Sequence, residues 1–263
     1  MSAYETLTLS VDDRGVATLT LNRPEKHNAM NAEMIAELAR AAVVIGADDA
    51  IRAVVLAAAG PTFCAGGDLG WMRDQAARDR KGKLEGAGEL ALMLKTLDDL
   101  PKLLVGRIQG NAFGGGIGLM SVCDIVVAAE DAQFALTEPR LGLIPATIGP
   151  YVVRRIGEGH ARRLLLNGRR FGGATARDIG LASVIVAPAD LDAAVGEEVA
   201  AVLDCAPGAV AATKGLVRTL ARGKADDDIR FSVEALADRW ESAEGRQGIE
   251  AFLERRPFPW LKK

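Results

Sequence analysis

The chain has 263 residues, of which 49% are hydrophobic and 25% charged, and its formal net charge is −3. That length holds one large domain or two small ones, with a core that needs no disulfide or metal. The near balance of charge gives no footing for a nucleic-acid partner. Cys64, Cys123 and Cys205 are odd in number and widely spaced, with no CxxC pair, which argues against structural zinc and points to a reducing compartment.

In chain order, Leu7–Val11 and Val16–Leu21 alternate apolar and polar residues around Asp12-Asp13-Arg14-Gly15, the pattern of a hairpin of half-buried strands. Asn31 is placed to cap a helix through Met34, Ile35, Leu38 and Ala42. Val54-Val55-Leu56 reads as a short buried strand. A Gly- and Ala-rich loop follows over Pro61–Asp68, and Arg73–Gly86 carries no clear apolar period, so a mobile segment is expected there. A helix is expected to resume near Leu90 and to end before Pro101. Leu103-Leu104-Val105 and Ile125-Val126-Val127 read as strands, with a glycine cluster opening a helix between them.

This alternation predicts an α/β core with short parallel crossovers over 1–190. From Leu191 the pattern is helical: Val195, Val199, Val202 and Leu203 share one face, as do Ile229, Val233 and Leu236. A C-terminal helical region over 191–263 is therefore expected. No basic stretch followed by an apolar run opens the chain, and no apolar run is long enough to span a bilayer. A cytoplasmic location with no membrane partner is the expectation.

The chemistry-bearing stretch is Gly110-Asn111-Ala112-Phe113-Gly114-Gly115-Gly116-Ile117-Gly118. A dinucleotide fingerprint requires a third glycine where Leu119 stands, and no P-loop lysine and serine follow, so neither cofactor site fits. A second glycine turn, Phe63-Cys64-Ala65-Gly66-Gly67-Asp68-Leu69, also follows a strand. Two such turns can aim two N–H groups at one oxygen, which is the physics of an oxyanion hole. Glu138, in Leu136-Thr137-Glu138-Pro139-Arg140, supplies a candidate acid or base.

Several ordered segments carry a resemblance. They are Leu21-Asn22-Arg23-Pro24-Glu25-Lys26-His27-Asn28-Ala29-Met30, Phe63–Asp68, Leu100-Pro101-Lys102 leading into Gly114-Gly115-Gly116, Cys123-Asp124-Ile125, Phe134–Gly142 and Gly248-Ile249-Glu250-Ala251-Phe252. In order and spacing they resemble the crotonase, or enoyl-CoA hydratase/isomerase, superfamily. The resemblance implies a spiral of ββα turns with a C-terminal helical region that serves oligomerisation, as a homotrimer or dimer of trimers. It implies an acyl-CoA substrate whose coenzyme A is part of the substrate, with no prosthetic group and no metal. By position, Gly67 and Gly115 match the oxyanion donors. Lys26, Ala65, Gly66, Asp68 and Leu69 match positions about the coenzyme A moiety, and Glu138 matches the second of two catalytic glutamates.

Gly118 stands where the family's two-glutamate hydratases carry the first glutamate. It leaves two readings: close helix packing, or room for a branched acyl chain or a water. With Glu138 alone, the simplest chemistry is proton transfer along the acyl chain, as in the family's double-bond isomerases. Leu141–Arg154 lacks the usual Gly-Gly-Thr-Gln-Arg. With Gly118 and Gly70-Trp71-Met72 it is similar to bacterial methylglutaconyl-CoA and carboxygeranoyl-CoA hydratases. The expectation is hydration of a 2-enoyl-CoA, branched in this comparison. Δ3–Δ2 isomerisation, a non-catalytic CoA-binding subunit, or thioesterase or decarboxylase chemistry stand as alternatives. His27, His160 and Cys64 are expected to be surface or packing residues and Arg140 a surface ion-pair partner. Trp71 and Met72 either cover the acyl pocket or pack beneath the adjoining segment.

Overall fold

The computed structural model describes residues 4–205, 207–221, 233–234, 236–238 and 240–257. Strands β1 (Leu7–Val11) and β2 (Val16–Leu21) form the antiparallel hairpin with the expected boundaries. Asp12 holds its turn by accepting from the N–H groups of Arg14 and Val16 at 3.0 and 2.9 Å. Helix α1 (Ala32–Ala47) begins at Asn31, whose side chain accepts from Met34 N.

Three ββα turns follow. Each runs a strand in a large sheet, then a three-residue strand in a small one, then helix. The pairs are β3 (Ala53–Ala58) with β4 (Thr62–Cys64), β5 (Leu103–Ile108) with β6 (Asn111–Phe113), and β7 (Ile125–Ala129) with β8 (Gln133–Ala135). The helices after them are α2 (Leu69–Ala77) with α3 (Arg80–Asp98), α4 (Gly115–Val122), and α5 (Gly149–Leu165). Strand β9 (Phe171–Gly172), helix α6 (Gly173–Asp178), strand β10 (Val184–Val186) and helices α7 (Leu191–Leu203) and α8 (Pro207–Ala221) come next. A last described helix spans Ala243–Leu253.

The large sheet has order β1-β2-β3-β5-β7-β10 and is parallel except for β1. The small sheet has order β4-β6-β8-β9, with β4, β6 and β8 parallel and β9 antiparallel to β8. Every residue of β3 is buried, as expected for a parallel strand covered on both faces. One face packs on α1, α3, α4 and α5 through Leu19, Leu56, Met34, Leu94, Leu119 and Val152. The other face, through Val16, Val55, Val105 and Val127, is covered by Leu191, Val195 and Val199 of α7. The change to helix at 191 is therefore not a break in packing, because α7 is a layer of the core. Of the second helical face, Val233 and Leu236 pack near Trp240 and Ile249, while Ile229 lies outside the described residues.

The stretch expected to be mobile, Arg73–Gly86, is helical instead. Asp68 caps α2 by accepting from Gly70 N and Trp71 N, and Asp79 caps α3 by accepting from Gly82 N. The apolar period is hidden because the inner face of α3 opens with Lys83, Gly86 and Ala87 before it reaches Leu90 and Leu94. Gly86 is needed there: a Cβ would stand 2.4 Å from the Gln75 amide oxygen.

Candidate active site

Parallel pairing of β4, β6 and β8 sends their C-terminal ends to one edge of the small sheet. Ligands in open α/β sheets gather at such edges. From β4 the chain enters Ala65-Gly66-Gly67, from β6 it enters Gly114-Gly115 at the start of α4, and from β8 it reaches Thr137-Glu138. Neighbouring backbone ties the three turns together. Met30 N donates to Gly66 O at 2.7 Å, Asp68 N to Met30 O at 2.9 Å, and Gly114 N to Ala135 O at 2.9 Å.

The glycines have separate reasons. Gly66 (φ +96°) and Gly114 (φ +49°) adopt backbone that L side chains rarely take. A Cβ on Gly116 would stand 2.6 Å from Cys64 O, so α4 sits directly against β4. A Cβ on Gly115 would meet Met30 Cε at 2.2 Å and lie 4.0 Å from Gly66 Cα, so the two glycine turns face each other. The Gly115 N–H is at the first position of α4 and has no intrahelical acceptor. Met30 and Gly67 pair as an isolated parallel bridge through the flanking N–H groups of Met30 and Asp68, and Gly67 N donates to no backbone acceptor among the described residues.

These turns open onto a cavity of about 510 Å³. Glu138, Gly67 and Gly115 line it, as do Lys26, Ala65, Gly66, Asp68 and Leu69. Trp71 and Met72 join the wall and also pack in the cluster with Leu143, Leu236, Trp240 and Ile249. Glu138 begins a 3-10 turn with Pro139. Its Oε2 is buried and has no hydrogen-bond partner among the described residues. Its Oε1 lies 3.1 Å from where a Gly114 Cβ would stand, so the carboxyl rests against the Gly114-Gly115 turn. Burial raises its pKa from 4.5 to about 7, against a lesser opposing effect of its own backbone N–H. The carboxyl is therefore held close to half-ionised at neutral pH, as an acid that must also act as a base requires.

Gly118 alone of the grouped site residues is not in the cavity wall. It is buried within α4, and a Cβ there would stand 2.4 Å from Ile148 Cγ2. The close-packing reading of Gly118 thus holds in the folded chain. Ile148 fills the space and itself lines the cavity.

Asp68 is engaged twice over: it caps α2 and pairs with Arg23 at 3.1 Å. Burial pushes its pKa up, but hydrogen bonds from Trp71 N and Arg23 outweigh this and hold it below the ordinary value. His27 is exposed at the mouth with Nδ1 3.0 Å from Thr62 Oγ1, and His160 is exposed on α5. Cys64 is fully buried, which pushes its thiol up to about 12 and leaves it an inert packing residue. Arg140 is exposed and lies against Gly168, with no ion pair among the described residues.

Sequence reasoning missed the roles of Asn28, Met30, Thr147 and the C-terminal wall. Asn28, wholly buried, donates to Ala59 O and Thr62 O at 2.8 Å each and accepts from Arg23 N at 2.9 Å. Leu236, Trp240 and Phe252 close the far side of the cavity. Phe252 lies in one of the quoted segments, but nothing in its local pattern signals a cavity wall.

The profile of the enoyl-CoA hydratase/isomerase family matches residues 12–263. A putative enoyl-CoA hydratase of Thermus thermophilus is 34% identical over 254 residues, covering 95% of this chain and 98% of that protein. The 1,2-epoxyphenylacetyl-CoA isomerase of Escherichia coli is 33% identical over 261 residues, covering 94% and 95%. The crystal structure of an enoyl-CoA hydratase from Mycobacterium avium superposes with a TM-score of 0.87 at 33% identity, covering 98% and 99%. With its ββα turns, paired glycine turns and match over nearly its whole length, the chain belongs to the enoyl-CoA hydratase/isomerase family of the crotonase superfamily and is an enzyme of that family.

Proposed function

We propose that the protein hydrates a 2-enoyl-CoA, with Glu138 as its single acid and base. The observation that carries this is the Glu138 carboxyl, buried beside the two glycine turns, whose Oε2 has no hydrogen-bond partner among the described residues. In this reading the N–H groups of Gly67 and Gly115 hold the thioester oxygen as an enolate forms. One such donor is worth about 3–4 kcal/mol of transition-state stabilisation in the best-measured case. The coenzyme A portion lies at the mouth, by Lys26, Ala65, Gly66 and Leu69. Lys26 is an exposed point charge there, suited to phosphate. The acyl chain, branched in this reading, enters the apolar part, lined by Met72, Leu90, Leu143, Ile144, Trp240 and Phe252. Coenzyme A takes part only as substrate, and no prosthetic group is invoked. Assembly as a trimer or dimer of trimers accompanies this reading.

One observation favours a second reading. With Ile148 against Gly118, no second carboxylate faces Glu138 from α4. Shuttling a proton between C2 and C4 needs only one, so Δ3–Δ2 isomerisation fits the same wall. A panel of straight and branched 2-enoyl-CoA thioesters separates the readings. Hydration removes the ultraviolet absorbance of the conjugated thioester, and that loss is the expected result. Turnover of 3-enoyl-CoA with no hydration of any 2-enoyl substrate would replace hydration by isomerisation. Tight CoA binding with neither turnover would leave a non-catalytic subunit.

A further inference from the structure

Hydration places a demand on the wall across from Glu138 that the packing of Ile148 leaves unmet. The attacking water needs a second hydrogen-bond partner, or its lone pair is not aimed at C3. Leu143, Ile144, Pro145, Thr147 and Ile148 line the same cavity as Glu138, and Thr147 is the one polar side chain of that segment. Thr147 lines the cavity and is only 5% exposed. Its hydroxyl makes no hydrogen bond among the described residues, and its oxygen, unlike Glu138 Oε2, is not among the sealed, unpartnered atoms, so it stays open to the cavity. A hydroxyl open to a cavity and unbonded by the protein is satisfied there by water or substrate.

Backbone hydrogen bonds turn the chain between Glu138 and the start of α5. Leu143 N donates to Glu138 O at 3.1 Å, Ala146 N to Ile144 O at 2.8 Å, and Gly149 N to Ala146 O at 3.2 Å as α5 begins. Glu138 and Thr147 are thus near the two ends of one folded-back segment, and both line the same cavity.

We propose that the Thr147 hydroxyl positions the attacking water, in the part a second carboxylate would otherwise play. The proposal rests on the hydration reading above. One O–H of the water points to the ionised Glu138 carboxylate and the other to Thr147 Oγ1, which leaves a lone pair for C3. As the water oxygen bonds to C3, its first proton passes to Glu138 and the C2–C3 π electrons move into the thioester carbonyl, giving the enolate. Protonated Glu138 then delivers that proton to C2. One water is added, and the carboxylate is regenerated. Proton exchange at C2 of a saturated acyl-CoA uses Glu138 and the oxyanion donors but needs no water at C3, so Thr147 has no part in it.

The test compares Thr147→Val and Thr147→Ser with the unaltered enzyme. Hydration of a 2-enoyl-CoA is read by absorbance, and C2 exchange of the matching saturated acyl-CoA by NMR in D2O. Thr147→Val is expected to lower kcat for hydration about 10–100-fold, the scale of one lost hydrogen bond to a reacting group. KM and the exchange rate should stay within about twofold, and Thr147→Ser should restore most of the hydration. Unchanged hydration in Thr147→Val, or a parallel loss of hydration and exchange, would overturn the proposal. If the unaltered enzyme exchanges C2 protons yet hydrates no 2-enoyl-CoA, the hydration reading fails first and the role of Thr147 falls with it.

Discussion

The six-stranded and four-stranded sheets are built by the same three ββα turns, but they differ in what holds them. In the large sheet β2 and β3 pair over six residues, and both faces are sealed by aliphatic side chains. In the small sheet β4 and β6 pair at two positions with an irregularity between them. The small sheet depends on its surroundings: the Asn28 amide, the Met30 backbone, and glycines that let α4 lie against β4. The site is mounted on the weaker of the two. Strength and chemistry are thus separated within one chain, and substitutions in each sheet should move different observables.

The largest effect is expected at Glu138. Glu138→Gln should lower turnover by about 10²–10⁴ while leaving the large sheet undisturbed. Its effect on stability has the opposite sign. Burial raises the carboxyl pKa to about 7, so folding favours the protonated form. That contribution is complete below the unfolded value near 4.5 and is lost as pH rises through about 7. The glutamine variant should therefore match the unaltered protein's melting temperature near pH 5 and exceed it at pH 8. A gap that does not vary with pH would mean that the carboxyl is solvated.

Next in size is Leu56→Ala in β3, fully buried in the large sheet. It should cost about 2–5 kcal/mol in denaturant unfolding, with kcat of the folded enzyme within about twofold. A kcat that falls in step with stability would dissolve the distinction between the sheets. Gly116→Ala should cost less, about 1–3 kcal/mol, yet reduce kcat more than tenfold. Its Cβ would press on Cys64 O and push α4, which carries the Gly115 donor, away from β4. The smallest effect is a coupling. Gly118→Ala and Ile148→Ala should compensate one another by about 0.5–3 kcal/mol in a double-mutant cycle, and strict additivity would show that the two residues do not share one space.

The same contrast governs what could be read from the sequence. Strands β1 and β2 were legible to the residue, because a half-buried strand of five or six residues shows its period of two. The three-residue strands β4, β6 and β8 show no period, and the turns after them were found through their glycines instead. The helices over Arg73–Gly86 were misread because their inner face uses Gly86, Ala87 and the Lys83 stem where large apolar residues were sought. At the site, Gly67, Gly115 and Glu138 were identified by motif, and the cavity gathers all three. Gly118 stayed ambiguous because its meaning lies in Ile148, thirty residues on, whose side chain reaches it only in the fold. Thr147 was passed over for a similar reason: a lone threonine in an apolar run becomes notable only once its wall faces a carboxyl.

Asn28 carries a mechanical consequence. Two of its hydrogen bonds, to Ala59 O and Thr62 O, rivet the segment from Arg23 to Met30 onto the chain about β4, and the third, from Arg23 N, closes the segment on itself. Ala65 N then donates to His27 O, and Met30 N to Gly66 O. The mouth and the oxyanion turn are consequently one stiff bracket, not two parts joined by a hinge. Under the proposed function, a coenzyme A tail that shifted Lys26 or His27 would tug on Gly66 and Gly67 as well, so grip at the far end of the substrate would be felt at its carbonyl.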